Sequence, residues 1–112
     1  MVLDAIKQRR SIRKFNDRPV DKEQLLSILE AGRWAPSGKN NQPCRFLAIT
    51  PPDPRQEALA GCTHYGPIVL SAQALIAVFL DTSVMYHPMK GHQAAGAAIQ
   101  NMLLAVHHLG LG

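Results

Sequence analysis

The sequence predicts an α+β domain in which helices cover a buried sheet. Three observations carry that prediction. Ala74 to Leu80 (Ala-Leu-Ile-Ala-Val-Phe-Leu) is apolar without alternation, the pattern of a strand covered on both faces. Asp21 opens a helix whose apolar side chains Leu25, Leu26, Ile28 and Leu29 recur at helical spacing. His92 to Leu109 reads as a longer helix, small-residue-rich in its first half and aliphatic in its second. At 112 residues the chain suits one domain, residues 1–112, with a modest core.

The elements follow in order. Val2 to Gln8 carries Leu3 and Ile6 at helical spacing and predicts a short helix. Lys7 to Phe15 then holds five cations, Lys7, Arg9, Arg10, Arg13 and Lys14, and no acid lies between Asp4 and Asp17. Crowded cations repel unless they are solvated or neutralised by an anion. Arginine forks match phosphate oxygens, and Ser11 adds a hydroxyl, so a phosphate site is one reading. A solvated basic turn is the other, with Arg9 and Arg10 complementing a helix C-terminus.

Asp21 with Gln24 three residues on forms a capping-box pattern at the start of the second helix, which Gly32 to Pro36 ends. The segment Ala35-Pro36-Ser37-Gly38-Lys39-Asn40-Asn41-Gln42-Pro43 is bracketed by prolines and excludes helix and central strand. Its hydroxyl and side-chain amides suit the edge of a heterocycle that both donates and accepts. Turn formers in a plain surface loop are the alternative. Arg45 to Thr50 reads as a buried strand and Arg55 to Ala60 as a short helix; Tyr65 to Leu70 fits strand or helix. The apolar circumference of 92–109 requires burial that one small domain cannot provide, so a partner subunit is expected against it. Gly110 is the expected cap of this helix. A buried helix that stops at Leu111-Gly112 predicts a fragment of a longer chain.

Other classes are disfavoured. The net charge of +4 is mild and aromatics make up 5% of residues, too few for a single-strand stacking platform. No nucleic-acid partner and no membrane span are expected. Cys44 and Cys62 lack a CxxC spacing and read as reduced thiols. His87 and the other histidines form no recognised metal pattern, so no metal is assigned. A cytoplasmic location is the default expectation.

Three blocks stand together in order: Gln-Arg-Arg-Ser-Ile-Arg-Lys-Phe at 8–15, Ala-Pro-Ser-Gly-Lys-Asn-Asn-Gln-Pro at 35–43, and Ala-Ala-Ile-Gln-Asn-Met-Leu-Leu-Ala-Val-His-His-Leu-Gly-Leu-Gly at 97–112. Together they resemble the FMN-dependent nitroreductase family over essentially the whole chain. The resemblance implies a mixed sheet covered by helices, a homodimer, and FMN as cofactor. It implies phosphate and ribityl contacts from Arg9, Arg10, Ser11 and Arg13. It implies flavin contacts from Pro36, Ser37, Gly38, Asn40 and Gln42, donated by the other subunit. The implied activity is transfer of electrons from NAD(P)H through flavin to nitroaromatic, quinone or similar small-molecule acceptors, and no catalytic side chain is nominated. A flavin-binding or dimerising remnant without turnover is the alternative. Two positions differ from many members: Cys44 stands where an aromatic is frequent, and Met89-Lys90-Gly91-His92 replaces a segment that often carries Trp and Asp. The family's chain continues past this Leu-Gly-Leu-Gly, which agrees with the expectation of a truncated chain.

Overall fold

A computed structural model describes residues 1–112. The order of elements is α1 (Val2–Gln8), α2 (Lys22–Arg33), a 3-10 turn (Gly38–Asn40), β1 (Cys44–Ile49), α3 (Pro54–Ala60), α4 (Gly66–Ser71), β2 (Leu75–Leu80) and α5 (Pro88–His108). The two strands pair antiparallel, from Cys44 opposite Leu80 to Ile49 opposite Leu75. Helices cover this small sheet, so the α+β class holds. Within these residues the sheet is purely antiparallel, because only two strands are present and the α3–α4 hairpin reverses the chain between them.

Local chemistry explains each helix. The Asp21 carboxylate accepts from the Gln24 backbone N–H at 2.9 Å, and the Gln24 side chain accepts from the Asp21 N–H at 3.2 Å. This reciprocal cap starts α2 where the capping-box pattern predicts it. The start of α5 lies four residues before the expected His92. The His87 ring accepts from the Met89 N–H at 3.1 Å, and Pro88 occupies the first turn, where a missing N–H costs nothing. The end of α5 matches expectation. Gly110 at φ +74° donates to the His107 carbonyl and Leu111 to the Val106 carbonyl, each at 3.0 Å, which satisfies two last-turn carbonyls.

The ambiguous 65–70 segment is helical because a distant side chain satisfies it. Gln56 on α3 is buried, and its amide nitrogen donates to the carbonyls of Val69, Leu70 and Ala72 at 2.9–3.3 Å. The central packing is α2 against α5, with Ile28, Ile49, Ala94, Ala98 and Met102 buried. The Asn101 amide fastens the same pair by donating to the Ala31 carbonyl at 3.1 Å.

The core is thin. Eleven of 112 residues are buried, and the chain exposes 7957 Å². A self-contained protein of this mass exposes about 6,100 Å². The expectation that β2 is covered on both faces therefore fails within one chain, whereas α5 is left partly exposed, as expected of a helix that one small domain cannot wrap. Phe79 of β2 is 53% exposed, because the helices cover the other side of a two-stranded sheet. Ile99 and Leu103 of α5 are exposed too, and only Gly91, Ala94, Ala98 and Met102 of that helix are buried. An open apolar groove of about 780 Å³ lies between β2 and α5, lined by Ile76, Val78, Met102 and Val106 among others. No helix is long and apolar enough to cross a membrane.

Two tests follow from this packing. Gln56→Leu removes the donor shared by three carbonyls, of which Val69 alone keeps a backbone partner in the Ala72 N–H, so unfolding free energy should fall by about 1–3 kcal/mol, read by urea titration; an unchanged midpoint would contradict the assigned role. Acid stability supplies the second. The Asp53 carboxylate accepts from the Arg55 side chain at 2.7 Å and from the Arg55 backbone N–H at 2.9 Å. Those bonds, the side-chain ones foremost, hold its pKa below the ordinary 3.8. Glu30 is held down by Trp34 and Arg33, and Asp81 by Ser83 and then Arg45. Groups lowered by folding stabilise fully above their unfolded pKa and lose that contribution as pH falls through the folded value. The thermal midpoint should therefore be level above about pH 5 and drop below it. Asp53→Asn keeps a capping side chain but cannot titrate, so its acid drop should be smaller. Parallel curves for the two proteins would rule this out.

Candidate flavin-nucleotide site

The basic segment leaves α1 at Arg9, whose backbone turns extended at φ −56° and ψ 138°. Arg10 folds back: its guanidinium donates to the carbonyls of Lys7 at 2.7 Å and Arg9 at 3.0 Å. It thus caps α1, which is the structural role the sequence allowed for it. Arg9 behaves differently. It is half-buried, and its Nε is a buried donor with no hydrogen-bond partner. A buried unsatisfied guanidinium nitrogen is costly, and an anion there would relieve it. Ser11 and Arg13 are exposed, with neither side chain engaged. Ile12 lies against Gly112, so this segment sits beside the C-terminal end of α5.

The 35–43 segment is a tight loop built around Ser37. The Ser37 hydroxyl accepts from the Gln42 N–H at 2.9 Å, and its carbonyl accepts from the Asn40 N–H at 3.0 Å. The segment was expected to exclude helix; it holds one 3-10 turn, which Asn41 closes by donating to the Gly38 carbonyl at 3.1 Å. Lys39, Asn40 and Gln42 all have φ of 52–53°, a left-handed conformation that L side chains disfavour. Three such residues in four positions is stored strain, which clusters where a loop must present itself to a ligand. The Gln42 amide nitrogen donates to the Asn40 side-chain oxygen at 3.1 Å. That leaves the Asn40 amide nitrogen and the Gln42 side-chain oxygen free, one donor and one acceptor side by side. Pro36 is exposed, and Ser37 and Gly38 are half-buried.

Residues outside the predicted set hold this loop. Arg45 donates to the Gln42 carbonyl at 2.8 Å and pairs with Asp81 at 3.2 Å, which ties the loop's exit to the end of β2. Tyr86 stacks under the Lys39 ammonium, 4.5 Å from the ring centroid. Neither tie was visible in the sequence, since Arg45 reaches Asp81 across 36 positions and the Tyr86 ring meets Lys39 only in the fold. Cys44 follows the loop half-buried, and burial raises its thiol pKa despite the neighbouring Arg45.

The two predicted groups do not meet within one chain. Gly38 abuts Tyr86, just before α5 begins, whereas Ile12 abuts Gly112, just after it ends. The 21 residues of α5 separate them by about 30 Å along its axis.

The pattern of the Nitroreductase family matches residues 6–81. A protein of Methanothermobacter thermautotrophicus, provisionally named NADH dehydrogenase/NAD(P)H nitroreductase, is 40% identical over 99% of this chain and 58% of its own. A provisionally named nitroreductase from Desulfovibrio desulfuricans, solved in complex with FMN, shares 61% identity with a TM-score of 0.94, over 96% of this chain and 63% of its own. An FMN-dependent nitroreductase from Clostridium difficile shares 31% identity with a TM-score of 0.85, over 98% of this chain and 62% of its own. The chain thus spans somewhat under two thirds of the length of these relatives. A pattern match over residues 6–81, an identity of 40% across nearly every residue, and superposable coordinates agree: this chain belongs to the nitroreductase family.

Proposed function

We propose that the protein works as an FMN-dependent oxidoreductase, carrying electrons from NAD(P)H through bound flavin to nitroaromatic, quinone or similar acceptors. The observation that carries this reading is the pair of donor sets at opposite ends of α5, each with unused hydrogen-bonding capacity. The chemistry of the residues fits the cofactor. Arg9, with its orphaned Nε, grips the phosphate together with Ser11 and Arg13, and Arg10 adds charge from its capping position. Pro36, Ser37, Gly38, Asn40 and Gln42 face the flavin ring, whose edge both donates and accepts hydrogen bonds. When bound, FMN supplies hydride acceptance from NAD(P)H and onward electron transfer. The chain's part is to bind, orient and surround it with positive charge, which favours negative charge on the ring. No side chain is assigned as acid or base.

A separation of about 30 Å exceeds the reach of one flavin nucleotide, so the reading requires two copies. Two α5 helices packed antiparallel about a two-fold axis bring the basic segment of one protomer to the loop of its partner. The exposed Ile99 and Leu103, the small residues Ala95, Gly96 and Ala97 that the chain leaves at least partly exposed, and the excess exposed surface all support such a homodimer. It would close two equivalent clefts.

Purified protein should be yellow and should bleach on addition of NADH or NADPH. Flavin retention without bleaching would instead support binding without turnover, and a colourless protein that takes up no FMN would sink both. Arg9→Ala with Arg13→Ala removes two charged contacts, each at about 1.5–3 kcal/mol, so FMN affinity should drop at least a hundred-fold while the dimer persists. Unchanged affinity would refute the phosphate assignment. On the α5 face, Leu103→Asp should produce monomers and lose FMN together; monomers that still bind FMN at full affinity would refute the shared site.

A further inference from the structure

We infer that Tyr86 is a positioning residue that clamps the 37–42 loop in its flavin-facing conformation. The inference deepens the FMN reading and rests on it. Three contacts converge on this ring. Gly38 lies so close that a Cβ there would stand 2.5 Å from the Tyr86 Cε1, so the ring fills the space of a missing side chain. Lys39, the next residue, holds its ammonium 4.5 Å from the ring centroid. The ring, with Asn41 and Pro43, also lines the small crevice between the loop and the start of α5.

The segment carrying Tyr86 is itself fixed. Met85 packs against the first turn of α5, its thioether occupying the space that a Cβ at Gly91 would take. Residue 87 caps α5 through its own ring. Tyr86 is therefore held from both sides and leans on the loop from a rigid helix end. The loop needs such support, because Lys39, Asn40 and Gln42 are all left-handed and would relax if released. The Tyr86 ring resists that relaxation twice, by filling the Gly38 face and by attracting the Lys39 cation. Relaxation would turn the free Asn40 donor and Gln42 acceptor away from each other, and a flavin edge needs both.

The test uses the full chain and two readouts. The first is amide hydrogen exchange at Asn40, Asn41 and Gln42 in protein stripped of FMN, where the wild-type hydrogen bonds run to Ser37 and Gly38. The second is FMN affinity by quenching of flavin fluorescence. Tyr86→Leu should speed exchange at those three amides about ten-fold, leave α2 and α5 unchanged, and weaken FMN about ten-fold. Tyr86→Phe keeps the ring and should stay within about two-fold of wild type in both readouts. Lys39→Met should weaken FMN about three-fold in the wild type and add nothing once Tyr86 is Leu. Exchange unchanged in Tyr86→Leu, or quickened equally throughout α2 and α5, would overturn the inference, as would a Phe variant no better than Leu. If the wild type takes up no FMN, the functional reading falls, and the exchange experiment alone still decides whether Tyr86 is the clamp.

Discussion

The packing of α2 on α5 sets the position of every other element that carries the candidate site. Ala94 and Ala98 let the helices approach closely, and Ile28 and Met102 fill the seam. Once α5 is fixed against α2, it becomes a rigid spacer. Its N-terminal end receives the strained loop through Tyr86, and its C-terminal end receives the basic segment through Ile12. The length of one helix thus decides that two groups suited to opposite ends of a nucleotide are held apart in a single chain. The shared cleft of the proposed function is a consequence of that length rather than of any one contact.

Electrostatics and strain divide the work between the two groups. Near α1, Arg10 neutralises helix carbonyls, while Arg9 keeps a buried nitrogen without a partner. At the other end, Ser37 and Arg45 close the loop around three left-handed residues. Each arrangement stores free energy that the fold alone does not recover, and a bound anion or heterocycle would recover part of it.

How much of this was legible in the sequence depended on range. The cap of α2 at Asp21, the cap at Gly110 and the two strands come from local signals, and the structure has them within a residue or so. The start of α5 was missed because histidine is an uncommon cap, although Pro88 just after it was a usable signal. The 65–70 segment could not be resolved locally, since Gln56, more than a dozen residues away, satisfies its carbonyls. The basic and amide-rich groups were readable as chemistry, and their order with the long helix pointed to the family. The Arg45–Asp81 tie and the Tyr86 ring were not readable, because each depends on a residue brought near only by folding. Cover on both faces of β2 was expected from its apolar run, yet burial requires neighbours, and this chain by itself supplies too few.

The proposed flavin site takes its two halves from two copies of the chain, and subunit mixing distinguishes this from a site built within one copy. Chains carrying Arg9→Ala with Arg13→Ala are combined with chains carrying Asn40→Ala with Gln42→Ala, neither of which binds FMN alone. After denaturation together and refolding, hybrids should regain one intact cleft each, giving about a quarter of the wild-type flavin content for an equal mixture. A mixture that contains hybrid dimers and yet stays colourless would contradict the account.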